Sequence, residues 1–349
     1  MRTHPPLLVA ALLLLGHAWL ACAQAETKAV SVQHFKVRAS AIDPKAAEHP
    51  ELNFSFTKNG KPTDEQHAVV APNIKPRGEL VIWLMGYSEP LFTRLASYGL
   101  HAISVHYANG WFSKYGNQSP GSDGQLLGNI RIEAATARDA SKLVNIPKPD
   151  SVQGRALSLV KHLATTDPKG GWDQFLNQDR SDLRWQKVTL AGASHGSTTA
   201  ARMAKEIEVG RVVMLCGPRD QLESWQRLPS KTPSERFFGF SHVEDGGWKG
   251  DHYCRSWQLL GLAAHGGTVD VGTTTPPFNH SRRLISRANV GGNEGRAHSC
   301  VIPGGASPKD AEGVFLFEST WRYLFTHPTD KVGAAVAPEQ DCELDLTGK

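Results

Sequence analysis

The sequence predicts an α/β fold: a doubly wound, mostly parallel sheet with helices on both faces. Three observations predict it. Glu79–Met85 (ELVIWLM) is a near-continuous apolar run ending at Gly86, the pattern of a strand buried on both faces. A helical stretch, Pro90–Tyr98, and a second apolar run, Leu100–Tyr107, follow at the spacing of a strand–helix–strand unit, which implies parallel pairing. The strand pattern Lys187–Ala191 then passes through the glycine-bounded turn Gly192–Gly196 into a helix over Ser197–Ile207.

The remaining elements follow in order. Val30–Arg38 and Glu65–Ala71 alternate loosely, as half-buried strands do. Gly99 stops the helix before it as a C-cap. Gly110–Gly124 is rich in Gly, Ser, Asn and aromatics and reads as a surface loop. Gln125–Leu143 and Ser151–Thr166 carry helical apolar spacing, with Pro147 and Pro149 between them. Gly171–Leu176 reads as a short helix, and Arg211–Cys216, Phe237–Ser241 and Thr268–Val271 as strands. Phe315–Phe325 is an amphipathic closing helix. No repeat, low-complexity tract or linker divides the chain. Residues 26–349 therefore read as one domain with loop insertions near 108–124 and 217–236.

Composition excludes several function classes. A chain of 349 residues with a formal charge of +4 lacks the concentrated basic surplus of a nucleic-acid binder. Hydrophobic residues at 40% and charged residues at 21% suit a packed core rather than a disordered chain. Residues 1–25 read as a secretory signal: Arg2, an apolar core over Leu7–Leu15, and Ala23-Gln24-Ala25 as the cleavage site. The apolar run is too short to span a bilayer, so no stable membrane span is expected, and the protein is expected to be periplasmic or secreted. Lipidation through Cys22 is the minor alternative. Signal cleavage leaves Cys216, Cys254, Cys300 and Cys342, an even set suited to a disulfide in an exported protein, with three possible connectivities. A Cys254–Cys300 bridge is one expectation, because it would tie together two loops that carry candidate site residues.

The informative motif is Gly192-Ala193-Ser194-His195-Gly196, a G-x-S-x-G. A serine on a sharp strand-to-helix turn is strained, with its hydroxyl lifted clear of the sheet, and only tiny residues fit two positions before and after it. The helix start behind it offers free N–H groups, so the His195 N–H faces the place where a tetrahedral oxyanion forms. The chemistry this points to is nucleophilic attack by Ser194 on a carbonyl.

The order of elements and this elbow resemble the α/β-hydrolase fold over most of the chain. LVIWLMGYSEP and FGFSHVED are also similar to stretches in a group of bacterial exported α/β-hydrolases. The resemblance implies ester- or amide-type hydrolysis with the order Ser–acid–His along the chain. It also implies a second oxyanion donor in the loop after the third strand. Gly86 lets the backbone approach a substrate there, which makes the Tyr87 N–H the candidate; Met85 stands where many relatives carry His. The base belongs between the last strand and the last helix. His298 is the first choice, His280 the alternative, and His265 a further one. The acid follows a late strand: Asp245 is the first choice and Asp220 the alternative, with Glu244 and Asp270 behind them. Its task is to orient the imidazole.

The functional expectation is an exported serine hydrolase, a carboxylic ester hydrolase first, acting on a small-molecule or polymer ester. Peptide, amide or polyester hydrolysis on the same triad, or a non-catalytic binding protein of this fold, are the alternatives. No cofactor, metal or nucleic-acid partner is expected. The chain has no HExxH and no GxxxxGK[ST], and the scattered His, Cys and carboxylates show no metal-ligand spacing. Trp111, Phe112 and Trp248 are candidate pocket walls, and Trp83 a core residue.

Overall fold

The computed structural model describes Met1 and residues 30–118, 124–220, 224–250 and 252–337. Residues 2–25 of the expected signal segment, with Cys22, and also Cys342, lie outside the described residues. The strands of the main sheet are β1 (Gln33–Arg38), β2 (Glu65–Val70), β3 (Leu80–Trp83), β4 (His101–Ser104), β5 (Val188–Ala193), β6 (Arg211–Leu215), β7 (Phe237–His242), β8 (Thr268–Asp270) and β9 (Arg283–Ser286). They form one sheet in the order β1-β2-β4-β3-β5-β6-β7-β9-β8. β2 pairs antiparallel with both β1 and β4, and every other pairing is parallel. Every residue of β3, β5, β6 and β7 is buried, as expected of strands covered on both faces. Trp83 is part of that core.

The principal helices are α1 (Glu89–Ser97), α2 (Leu126–Thr136), α3 (Val152–Thr166), α4 (His195–Glu206), α5 (His252–Leu259), α6 (Glu294–Cys300) and α7 (Glu318–Thr326). From β3 the chain crosses through α1 to β4 on one side, and from β5 through α4 to β6 on the other. Right-handed crossovers in opposite directions place these two helices on opposite faces. The order therefore reverses beside β3 and β5, and clefts open at such a reversal, at the carboxyl ends of the strands.

Three local expectations differ from the structure. The α2 helix stops at Thr136, not Leu143, because Ala137 turns left-handed at φ 60. The buried Glu133 carboxylate then holds the following loop by accepting the N–H groups of Ala140, Ser141 and Ile146 at 3.3, 2.9 and 3.1 Å. The segment from Gly110 that reads as a surface loop contains a helical turn, Trp111–Tyr115, whose Trp111 is fully buried. His298 lies not in a loop but on α6. Among the described residues no helix is long and apolar enough to cross a membrane.

Candidate active site

Ser194 sits between β5 and α4 with φ 51 and ψ −118, a conformation that costs a non-glycine residue steric energy. The close packing around the turn explains both glycines. A Cβ on Gly192 would overlap the backbone of Gly196, and a Cβ on Gly196 would overlap the carbonyl of Leu84 at the end of β3. The turn is pinned from below by Ser194 N–H donating to Leu215 O at 3.0 Å. The Ser194 carbonyl accepts the hydroxyls of Ser197 and Thr198 at 2.7 and 3.0 Å. The side chain is left half-buried, and its hydroxyl bonds to no described residue.

Asp245 follows β7 at the same carboxyl edge and is 2% exposed. One carboxylate oxygen accepts the Gly247 N–H at 2.8 Å and the Tyr253 hydroxyl at 3.3 Å. The other lies 2.8 Å from His298 Nδ1. With Nδ1–H donated to the carboxylate, Nε2 is left as the lone-pair nitrogen of the ring, the state a general base needs. The structure thus brings Asp245 and His298 together, at the edge where the Ser194 turn lies, but makes no hydrogen bond between Ser194 and His298. Such contacts often close only when substrate binds.

The alternatives fall elsewhere. Asp220 is held by Arg131, which donates through Nε and Nη2 at 2.7 and 3.0 Å, with both side chains buried. Both of its oxygens are turned to the Arg131 guanidinium rather than to an imidazole. His280 precedes β9 and His265 precedes β8, which puts both at the amino edge of the parallel strands, opposite the Ser194 turn. His280 Nδ1 lies 3.1 Å from His327 Nε2, and His265 Nε2 lies 2.8 Å from Ser234 Oγ. Asp270 bonds the Gly272 N–H at 2.8 Å and pairs with Arg287 at 3.5 Å.

Both candidate oxyanion donors have free N–H groups: those of Tyr87 and His195 donate to no described residue. The Tyr87 ring stacks on His67 and His34 with centroids 4.3 and 4.7 Å apart, which fixes the peptide before it. A cavity of about 260 Å³ opens beside this loop, lined by His67, Met85, Gly86, Tyr87, His106 and Tyr107 among others. His195 is fixed from the far side. Arg131 Nη1 donates to its carbonyl at 3.2 Å, to Thr199 Oγ1 at 3.1 Å and to its Nδ1 at 2.8 Å. Burial, helped by the Arg131 charge, pushes the His195 imidazole down to about 2, so it is neutral. The half-exposed Phe112 packs on the His195 ring at 4.2 Å, and buried Trp111 meets it edge-on at 5.1 Å.

The antiparallel second strand, the reversal of order beside β3 and the strained serine after β5 together decide the architecture. The fold is that of the α/β-hydrolases. No family model and no curated protein sequence matches the chain. Solved structures similar to it include a proposed dienelactone hydrolase from Klebsiella pneumoniae, 12% identical over 74% of this chain and 87% of that one, with a TM-score of 0.33. An α/β serine hydrolase without a lid from Xanthomonas campestris is 11% identical over 65% and 79%, with a TM-score of 0.31. A proposed carboxylesterase from Lactobacillus plantarum is 10% identical over 75% and 88%, with a TM-score of 0.33.

Sequence reasoning missed Arg131, which no local pattern links to the elbow, and the bond from the Tyr253 hydroxyl to Asp245. Trp248 packs on Trp257 at 5.4 Å. The expected Cys254–Cys300 bridge is absent: Cys300 is free and buried, as is Cys216. Cys254 is disulfide-bonded. Cys216, just after β6, places its sulfur within 4.8 Å of the donor atoms of Asp245 and His298.

Proposed function

We propose that the protein is a serine hydrolase of carboxylic esters, exported by its N-terminal segment and working through an acyl-enzyme. The observation that carries this reading is the 2.8 Å Asp245–His298 pair at the sheet edge that bears the strained Ser194. In the proposed cycle His298 Nε2 takes the Ser194 proton as the oxygen attacks the ester carbonyl, and Asp245 steadies the imidazolium. The Tyr87 and His195 N–H groups receive the oxyanion. His298 returns the proton to the departing alcohol. Water, activated by the same imidazole, then releases the acid. Arg131 acts at one remove by holding the His195 peptide.

A fluorophosphonate probe tests this directly. Wild type should be labelled at Ser194 and should hydrolyse activated esters. Ser194→Ala should do neither, with kcat down on the order of 10⁴–10⁶-fold. Equal labelling of Ser194→Ala, or no turnover by wild type across a panel of acyl lengths, overturns the proposal.

A further inference from the structure

We propose that Cys216, Asp245 and His298 form a binding site for one thiophilic divalent cation, Zn²⁺ or Cd²⁺, and that filling it switches hydrolysis off. The binding stands on geometry alone, whereas the inhibition rests on the triad reading above.

The donor atoms are Cys216 Sγ, an Asp245 carboxylate oxygen and a His298 ring nitrogen, all within 4.8 Å of one another. Around a tetrahedral zinc with bonds of 2.0–2.3 Å, neighbouring donors stand about 3.3–3.8 Å apart. The Asp245–His298 contact of 2.8 Å therefore has to open by less than about 1 Å, and the sulfur has to close by no more than about as much. Rotations of three side chains supply this without moving the sheet. The donor set is one sulfur, one nitrogen and one oxygen. That set suits borderline-soft metals and not Mg²⁺ or Ca²⁺, which take oxygen ligands.

Cys216 has no part in the proposed hydrolysis, yet it is a free thiol behind the acid–base pair. One thiolate, one carboxylate and one dication sum to zero charge in a buried site. The His298 side chain is 30% exposed and gives the ion a route from solvent, and water completes the coordination.

The thiol proton leaves to solvent as the sulfur–metal bond forms. The proton on His298 Nδ1 is replaced there by the metal and reappears on Nε2 through solvent exchange. An imidazole with Nε2–H cannot accept the Ser194 proton, so the cation inhibits without touching the serine.

The experiment uses the full-length purified protein and Cd²⁺, whose bond to thiolate gives an ultraviolet charge-transfer band. Wild type and Ser194→Ala should each bind one Cd²⁺ per chain and show the band. Zn²⁺ should inhibit wild type stoichiometrically, a chelator should restore activity, and Mg²⁺ should have no effect. Cys216→Ser and Cys216→Ala should lose the band and weaken Cd²⁺ binding about 100-fold. Cys300→Ala should keep the band. Cd²⁺ held as tightly by Cys216→Ser as by wild type, or a band that disappears in Cys300→Ala, overturns the proposal. A chain that shows the Cys216-dependent band but hydrolyses no ester overturns the proposed function and leaves the cation site standing.

Discussion

Asp220 and Asp245 both follow a strand of the parallel sheet, and what separates them is the group that answers each carboxylate. Asp220 meets a buried guanidinium on both oxygens, and Asp245 meets an imidazole, a phenol and a peptide N–H. The two aspartates should therefore fail differently. Asp245→Asn keeps the shape but favours the wrong imidazole tautomer. Its kcat should fall about 10⁴-fold with little change in melting temperature. Asp220→Asn leaves Arg131 as an unpaired buried charge, and the fold should weaken by about 3–5 kcal/mol. Fluorophosphonate labelling of Ser194 should survive in the folded fraction of Asp220→Asn. Kinetics and thermal melts of the two variants check this, and the opposite pattern exchanges their roles. Sequence could rank the two acids only by the strands before them. Ser194 was legible because its five residues carry their own context, a strand before and a helix after. The partner of Asp220 was not, because Arg131 comes from a distant helix and no spacing relates them.

At the level of elements, the base depends on a helix that the sequence hid. Gly291-Gly292 ahead of it suggests a loop, and seven residues are too few to show a 3.6-residue period. The start signal was nevertheless present: Asn293 followed by Glu294 is an N-cap with an acid in the first turn. Asn293 Oδ1 accepts the Arg296 N–H at 2.8 Å and Glu294 faces the positive end of the dipole. Asn293→Ala should destabilise the protein by about 1 kcal/mol and, by loosening α6, lower kcat more than it changes KM. Asn293→Ser, which restores a cap, should recover most of both. A full recovery of stability without recovery of kcat would show that the cap does not position His298. β9 escaped notice for a related reason. Arg282-Arg283 at its start reads as surface, yet both are fully buried. Arg282 reaches the carbonyls of Glu235, Thr329 and Lys331, and Arg283 that of Gly266. Long-range backbone carbonyls hold these cations, and no local pattern announces them.

Over the whole molecule, the buried imidazoles set the response to acid. Burial drives His195 down to about 2 and His106 down to about 4, and it lowers His101. His106 is stacked on Phe54 at 4.4 Å, and its Nδ1 has no partner. Each ring stays neutral in the folded chain at a pH where the unfolded chain, with histidine near 6.5, takes up a proton. The unfolded state therefore binds more protons below about pH 6.5, and stability rises with pH across that window. The stabilisation is complete above the unfolded value and is lost as pH falls from about 6.5 toward the folded values. Each such histidine contributes a slope of roughly 1.4 kcal/mol per pH unit once the unfolded ring is mostly charged. His195 and His106 together remove a substantial share of the 5–15 kcal/mol typical of a folded domain within about two units. The melting temperature, followed at constant ionic strength from about pH 7.5 to 5, should hold steady at first and then drop with increasing steepness below about 6.5. His106→Asn, which cannot take a proton, should start from a lower plateau because it loses packing on Phe54, yet fall less steeply. A melting temperature that is level to pH 5, or a His106→Asn curve parallel to that of wild type, would show that these rings do not govern the acid limb.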